Sequence, residues 1–64
     1  MKFQVDGLGY MCLEEKTSQA DLETLMVALA ALAPTKTLHC ENTSIENKAM
    51  LAAAKAGFQV VIDL

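Results

Sequence analysis

The apolar positions of this chain change period several times, and each change marks an element. At the start, Phe3 and Val5 alternate with Lys2, Gln4 and Asp6, the period of two of a half-buried strand. Asp6-Gly7 follows, a dipeptide that favours the positive φ angles of a type I′ turn, and a second strand is predicted from Leu8 to Leu13. Gly9 inside that strand points to a bulge or a close backbone approach. Leu22, Leu25, Met26, Leu29, Leu32 and Ala33 then recur at helical spacing and define a buried face. Ser18 stands where its hydroxyl can accept from the amide of Asp21, and Asp21 and Glu23 suit the positive first turn. Pro34 ends the helix, because it cannot donate to the ladder and disfavours α conformation in the residue before it.

The second half repeats the alternation. In "KTLHCE", residues 36–41, Leu38 and Cys40 fall on one side of a short strand and Thr37 and His39 on the other. Thr43 and Glu46 have capping-box spacing. The helix they open runs to Ala56 and stops at Gly57, which takes a left-handed C′ conformation at little cost. "FQVVIDL" supplies a closing strand with Phe58, Val60 and Ile62 on one face. The reading is a single α+β domain over residues 1–64, in the order β-β-α-β-α-β, with two helices on a three- or four-stranded sheet. If the last two strands are parallel neighbours, their connection is right-handed; if they are separated or antiparallel, that rule is silent.

Composition sharpens this picture in three ways. A chain of 64 residues buries only ~60% of its unfolded surface, yet 53% of these residues are apolar, which leaves apolar surface for self-association. Five lysines, no arginine and a net charge of -3 argue against nucleic acid, whose phosphates and base edges are read mainly by Arg and Lys. The longest uncharged run, "TLMVALAALAPT", falls short of the ~20 apolar residues that span a bilayer. With no leader-like segment at the N-terminus the expected compartment is the cytoplasm. Cys12 and Cys40 lack the paired short spacings of a zinc site and are read as two buried, reduced thiols. No metal site is expected.

The run "CENTSIENKAMLAAAKAGFQVV" resembles the C-terminal half of the GCN5-related N-acetyltransferases (GNAT), in which a strand leads into an Asn-x-x-Ala helix that ends Lys-x-Gly-Phe before a further strand. Ala49, Lys55, Gly57 and Phe58 fall in that register, and the resemblance extends over roughly residues 8–63. It implies a GNAT-like half-fold. It does not carry the family's chemistry across. The family binds the coenzyme A pyrophosphate with a Gln/Arg-x-x-Gly-x-Gly/Ala loop before the first of these helices, where glycine-freed amides and the helix dipole meet phosphate. This chain has "EEKTSQADLE" there, without glycine or arginine. Glu14, Glu15, Asp21 and Glu23 would repel the diphosphate, and Lys16, Thr17 and Ser18 offset them only in part. Glu46 stands at the family's Asn position with Asn47 one residue out of register, and Ala53 stands where the family often places a proton-donating tyrosine.

No catalytic residue is therefore assigned. His39 and Cys40 are neighbours in a strand and point to opposite faces, and Tyr10 is read as packing with its hydroxyl at the surface. The expected function is a non-catalytic protein-interaction module, a homodimer of inhibitor or adaptor type such as small accessory proteins of phage and other mobile genomes provide. The far face of the first helix, Val27, Ala30 and Ala31, together with Met26 and Met50 on facing helices, is the expected interface, either by helix stacking or by pairing of a sheet edge. No cofactor is expected. The rival reading is a minimal acyl-CoA-binding acetyltransferase-like protein with its site completed across a dimer. Thr17, Ser18 and Asn47 would then be the residues left to hold acetyl-CoA.

Overall fold

The computed structural model describes residues 1–41, 45 and 47–63. The elements are β1 (Lys2–Val5), β2 (Gly9–Cys12), α1 (Gln19–Leu32), β3 (Thr37–Glu41), α2 (Asn47–Lys55) and β4 (Gln59–Asp63), the expected α+β order. They form one four-stranded sheet in the order β2-β1-β3-β4. β1 is antiparallel to both neighbours, while β3 and β4 run parallel from Thr37↔Gln59 to Glu41↔Asp63. β2, β3 and β4 thus point one way, and the crossovers β2-α1-β3 and β3-α2-β4 move in the same direction across the sheet. Two right-handed crossovers advancing in one direction put both helices on the same face, and α1 packs against α2 there.

That face holds the core. Phe3, Val5 and Leu38 from the sheet meet Leu22, Met26 and Leu29 of α1 and Ala49, Ala52 and Ala53 of α2. No polar or charged side chain is buried among the described residues. The opposite face of the sheet carries no helix and presents Lys2, Gln4, Tyr10, Cys12, His39, Glu41 and Asp63, all half-buried or exposed.

The hairpin forms where expected, with a different turn. Val5 pairs with Gly9, so three residues, not two, lie in the loop. Leu8 N–H donates to the Val5 carbonyl, and positive φ falls on Gly7 (85°) and not on Asp6. Positive φ at only the second central residue is the type II pattern, not I′. The predicted bulge at Gly9 is absent, because the β1–β2 register runs unbroken from Lys2↔Cys12 to Val5↔Gly9. The close approach is made by Gly7 against Pro34.

Ser18 caps α1 as expected, its Oγ accepting from Asp21 N–H at 3.2 Å. The buried stripe of α1 is Leu22, Met26, Leu29, Ala30 and Ala33, which corrects two expectations. Ala30 belongs to the core, and Leu32 is 70% exposed. The two lie on opposite flanks of a stripe centred on Met26, Leu29 and Ala33, and the fold covers the alanine flank, where the backbones can approach more closely. Cys40 is buried but Cys12 is exposed on the open sheet face, and both are free thiols.

α2 ends in a Schellman arrangement. Gly57 has φ 102°, its N–H reaches the Ala54 carbonyl at 3.1 Å, and Phe58 N–H reaches the Ala53 carbonyl at 3.0 Å. Phe58 precedes β4 and is buried; along the same face burial then declines through Val60 to Ile62, which is 40% exposed. The capping pair Thr43 and Glu46 lies outside the described residues.

Candidate functional site

The segment between β2 and α1 is where the acetyltransferase resemblance would seat a diphosphate, and its polar groups are already engaged within the chain. Thr17 Oγ1 donates to the Glu14 carbonyl at 2.7 Å. Ser18 Oγ holds the Asp21 amide, one of the donors that a phosphate at this helix end would need. Lys48 Nζ, from the first turn of α2, donates to the carbonyls of Glu15 and Thr17, both at 2.9 Å, and Gln19 Nε2 returns a bond to the Lys48 carbonyl. Lys16 lies 3.7 Å from Glu14. The loop is thus stitched to α2 through Lys48 and Gln19, and exposed Glu14, Glu15 and Asp21 outnumber Lys16. Asn47 lies apart from Thr17 and Ser18 in role: it is the first residue of α2 and lines a groove on the outer side of that helix.

At the other position of interest, Ala53 has no exposed surface. Its methyl is part of the seam that α2 turns inward, and its carbonyl closes the Schellman bond, so the position serves packing.

The bare sheet face has a depression of about 210 Å³ bordered by Lys2, Gln4, Tyr10, His39, Glu41 and Asp63. Its charges are of both signs. Lys2 Nζ sits 5.2 Å from the centre of the Tyr10 ring, within cation–π range, and Tyr10 is 69% exposed. His39 lies half-buried on this face, while Cys40 faces the core, where burial and then the nearby Asp63 carboxylate push its thiol pKa up. A thiol held protonated is a poor nucleophile, and His39 and Cys40 form no pair. No cluster of three His, Cys, Asp or Glu suited to a metal occurs among the described residues.

A largely apolar opening lies at the other margin, between α2 and β4. Met50, Leu51, Ala54, Val60 and Ile62 line a groove of about 420 Å³ with Asn47 at one end. It exists because α2 is packed inside out. Its small residues, Ala49, Ala52 and Ala53, fill the inward stripe and let the helix lie close to the sheet, while Leu51, its largest branched apolar side chain, points outward and is 67% exposed. β4 is the last strand on this side, so the groove runs beside an open row of backbone amides and carbonyls.

Among the residues read from the sequence as an interface, Met26 and Ala30 are buried in the chain's own core. Val27 and Ala31 are exposed on α1, and Met50 is half-buried at the α2–β4 groove. Leu51, Val60 and Ile62 complete that groove. They were legible in the spacing: Leu51 falls between Ala49 and Ala52, off the alanine stripe. No family model, curated protein or solved structure matches the chain. No helix among the described residues is long and apolar enough to cross a membrane.

Proposed function

We propose that this chain is a non-catalytic protein-interaction module of inhibitor or adaptor type, working in the cytoplasm and docking protein along the α2–β4 margin. The observation that carries this reading is the inside-out packing of α2, which spends alanines on the core and leaves Leu51 in solvent beside the exposed Ile62 and an open strand edge. An apolar groove next to unpaired backbone is the arrangement by which a strand or helix of another chain is received, hydrogen bonds giving affinity and the groove giving specificity. The exposed free thiol of Cys12 suits a reducing compartment.

The rival, a minimal acyl-CoA-binding acetyltransferase-like protein, has less support. The groups left to it, Thr17 and Ser18, are used in local hydrogen bonds, and the surrounding carboxylates oppose a diphosphate. Calorimetric titration with acetyl-CoA separates the two: the module gives no binding tighter than millimolar, and micromolar affinity overturns it. Affinity capture from the native host supplies the positive arm. A protein retained by the wild-type chain and lost with Leu51→Glu supports docking at this margin; equal retention by both chains counts against it.

A further inference from the structure

The occupant of the α2–β4 groove can be specified from the backbone of β4. Gln59 N–H donates to the Lys36 carbonyl at 2.8 Å, so at Gln59 the backbone groups face β3. In a strand these directions alternate by residue. Gln59, Val61 and Asp63 therefore bond inward, while Val60 and Ile62 present N–H and C=O to the open edge. Any strand added there must bond through Val60 and Ile62.

We propose that the added strand is β4 of a second copy, antiparallel, with a two-fold axis through the Val61–Val61 pair. This rests on the reading of the margin as a protein-docking surface and names its occupant. Three self-pairings keep core face on core face and bond through the even-numbered residues. Centring on Val60 sets Gln59 against Val61, and centring on Ile62 sets Asp63 against Val61; both put a polar side chain across from an apolar one. Centring on Val61 sets Val60 against Ile62 on the helix side, Val61 against itself on the bare side, and Gln59 against Asp63 at the ends. Apolar groups then meet apolar groups, and each Asp63 carboxylate faces an amide donor rather than its own copy, which matters for a chain of net charge -3.

The same operation brings the two α2 grooves side by side. Their lining of Met50, Leu51, Ala54, Val60, Ile62 and Asn47 contains no charge, so the copies approach where repulsion is weakest. The pairing closes on itself, forms four backbone hydrogen bonds between Val60 and Ile62 of the two chains, and joins two four-stranded sheets into one of eight. It is isologous, so it ends at a dimer and does not propagate.

The test uses sedimentation of the full chain across the micromolar range, with three variants. Ile62→Pro removes an outward N–H, a change that an edge strand tolerates, and trims the side chain set against Val60. It cuts two of the four bonds and weakens the dimer by about 100-fold or more while the circular dichroism stays that of the folded chain. In a Cys12→Ser background, Val61→Cys forms an intermolecular disulfide under mild oxidation. The facing residues of a non-hydrogen-bonded pair lie ~4.5 Å apart at Cα, within the disulfide range of roughly 4.4–6.8 Å. Gln59→Cys, whose opposite residue is Asp63, does not cross-link.

A wild-type chain that stays at 6.9 kDa throughout overturns the proposal. So does a dimer indifferent to Ile62→Pro but broken by Val27→Glu, which assigns the contact to α1. Faster cross-linking of Gln59→Cys than of Val61→Cys overturns the register. A chain that stays monomeric but loses a captured partner with Leu51→Glu keeps the margin as a docking surface and removes only the second copy as its occupant, and the acetyl-CoA titration is independent of both, so failure of the dimer and failure of the module remain distinct.

Discussion

A Cβ built on Gly7 would lie 2.5 Å from Cγ and 2.7 Å from Cδ of Pro34, so the β1–β2 turn seats directly on the proline ring that follows α1. Asp6 secures the contact on both sides: its N–H donates to the Thr37 carbonyl at 2.9 Å, and its Oδ2 accepts from Thr35 Oγ1 at 2.8 Å. The hairpin and the α1–β3 connection are one packed unit.

Gly7→Ala consequently meets two penalties, a φ of 85° and a collision with a rigid ring. It is expected to cost about 3 kcal/mol. Gly9→Ala has a similar φ but open space around the new methyl, and costs about 1–2 kcal/mol. Urea unfolding of the pair checks the ordering; equal losses would show that the proline contact contributes nothing.

Ala53→Tyr installs the residue that the acetyltransferase resemblance would place there and should leave the chain largely unfolded. The position has no exposed surface and lies in the alanine seam of α2, so a phenol ring overpacks it by far more than one methylene, at about 3 kcal/mol or more. The circular dichroism melt of this variant against Ala54→Tyr, at an exposed neighbour, isolates the packing term. A stable Ala53→Tyr chain would reopen the case for a catalytic ancestry at this site.

Removing the α1 cap, Ser18→Ala, loses the 3.2 Å bond to the Asp21 amide and is expected to destabilise by about 1 kcal/mol, with Ser18→Asp recovering most of it. Denaturant midpoints for the three chains suffice. An unchanged midpoint in Ser18→Ala would mean that the Lys48 bonds to Glu15 and Thr17 hold this helix start without the hydroxyl.

The two thiols should separate in both rate and pH. Cys12 is exposed and reacts promptly with an alkylating reagent, whereas Cys40 reacts only through opening of the fold. Burial, with the Asp63 carboxylate second, raises the Cys40 pKa above its ordinary 9.0. The unfolded chain therefore releases this proton first as pH rises, and stability contributed by the protonated thiol is present below about pH 9 and declines as pH climbs from there through the higher folded value. Lys55, raised above 10.5 by its hydrogen bond to Glu23 and by that charge, adds a loss of the same sign further into alkali. Midpoints measured from pH 7 to 10.5 should fall at the alkaline end for the wild type and fall less for Cys40→Ala. A parallel decline in both chains would remove Cys40 as the cause.

The element order was legible because each element carries its own period and stop signal: alternation at Phe3 and Val5, Ser18 before α1, Pro34 after it and Gly57 after α2. What the sequence did not reveal turns on tertiary choice. The turn after Val5 is lengthened because β1 ends where Asp6 is drawn to Thr37, a partner far away in the chain. Leu32 and Ala30 exchange places because α1 packs by closeness of approach and not by hydropathy alone, so a leucine is left in water. The proposed docking margin was hidden for the same reason. Reading the apolar far side of α1 as the interface treated all surplus apolar residues alike, whereas the sheet order makes β4 an edge beside Leu51 and Ile62.

The placement of β1 also bears on how the chain folds. β1 precedes β3 in sequence but lies beside it in the sheet, with all of β2 and α1 intervening. A β1–β2 hairpin that forms early has one flank of β1 unsatisfied, and that flank stays open until β3 docks. Phe3 and Val5, among the most deeply covered side chains of the finished fold, lie on that strand. The interval between hairpin formation and the docking of β3 is therefore the one in which this small domain is most open to the wrong neighbour.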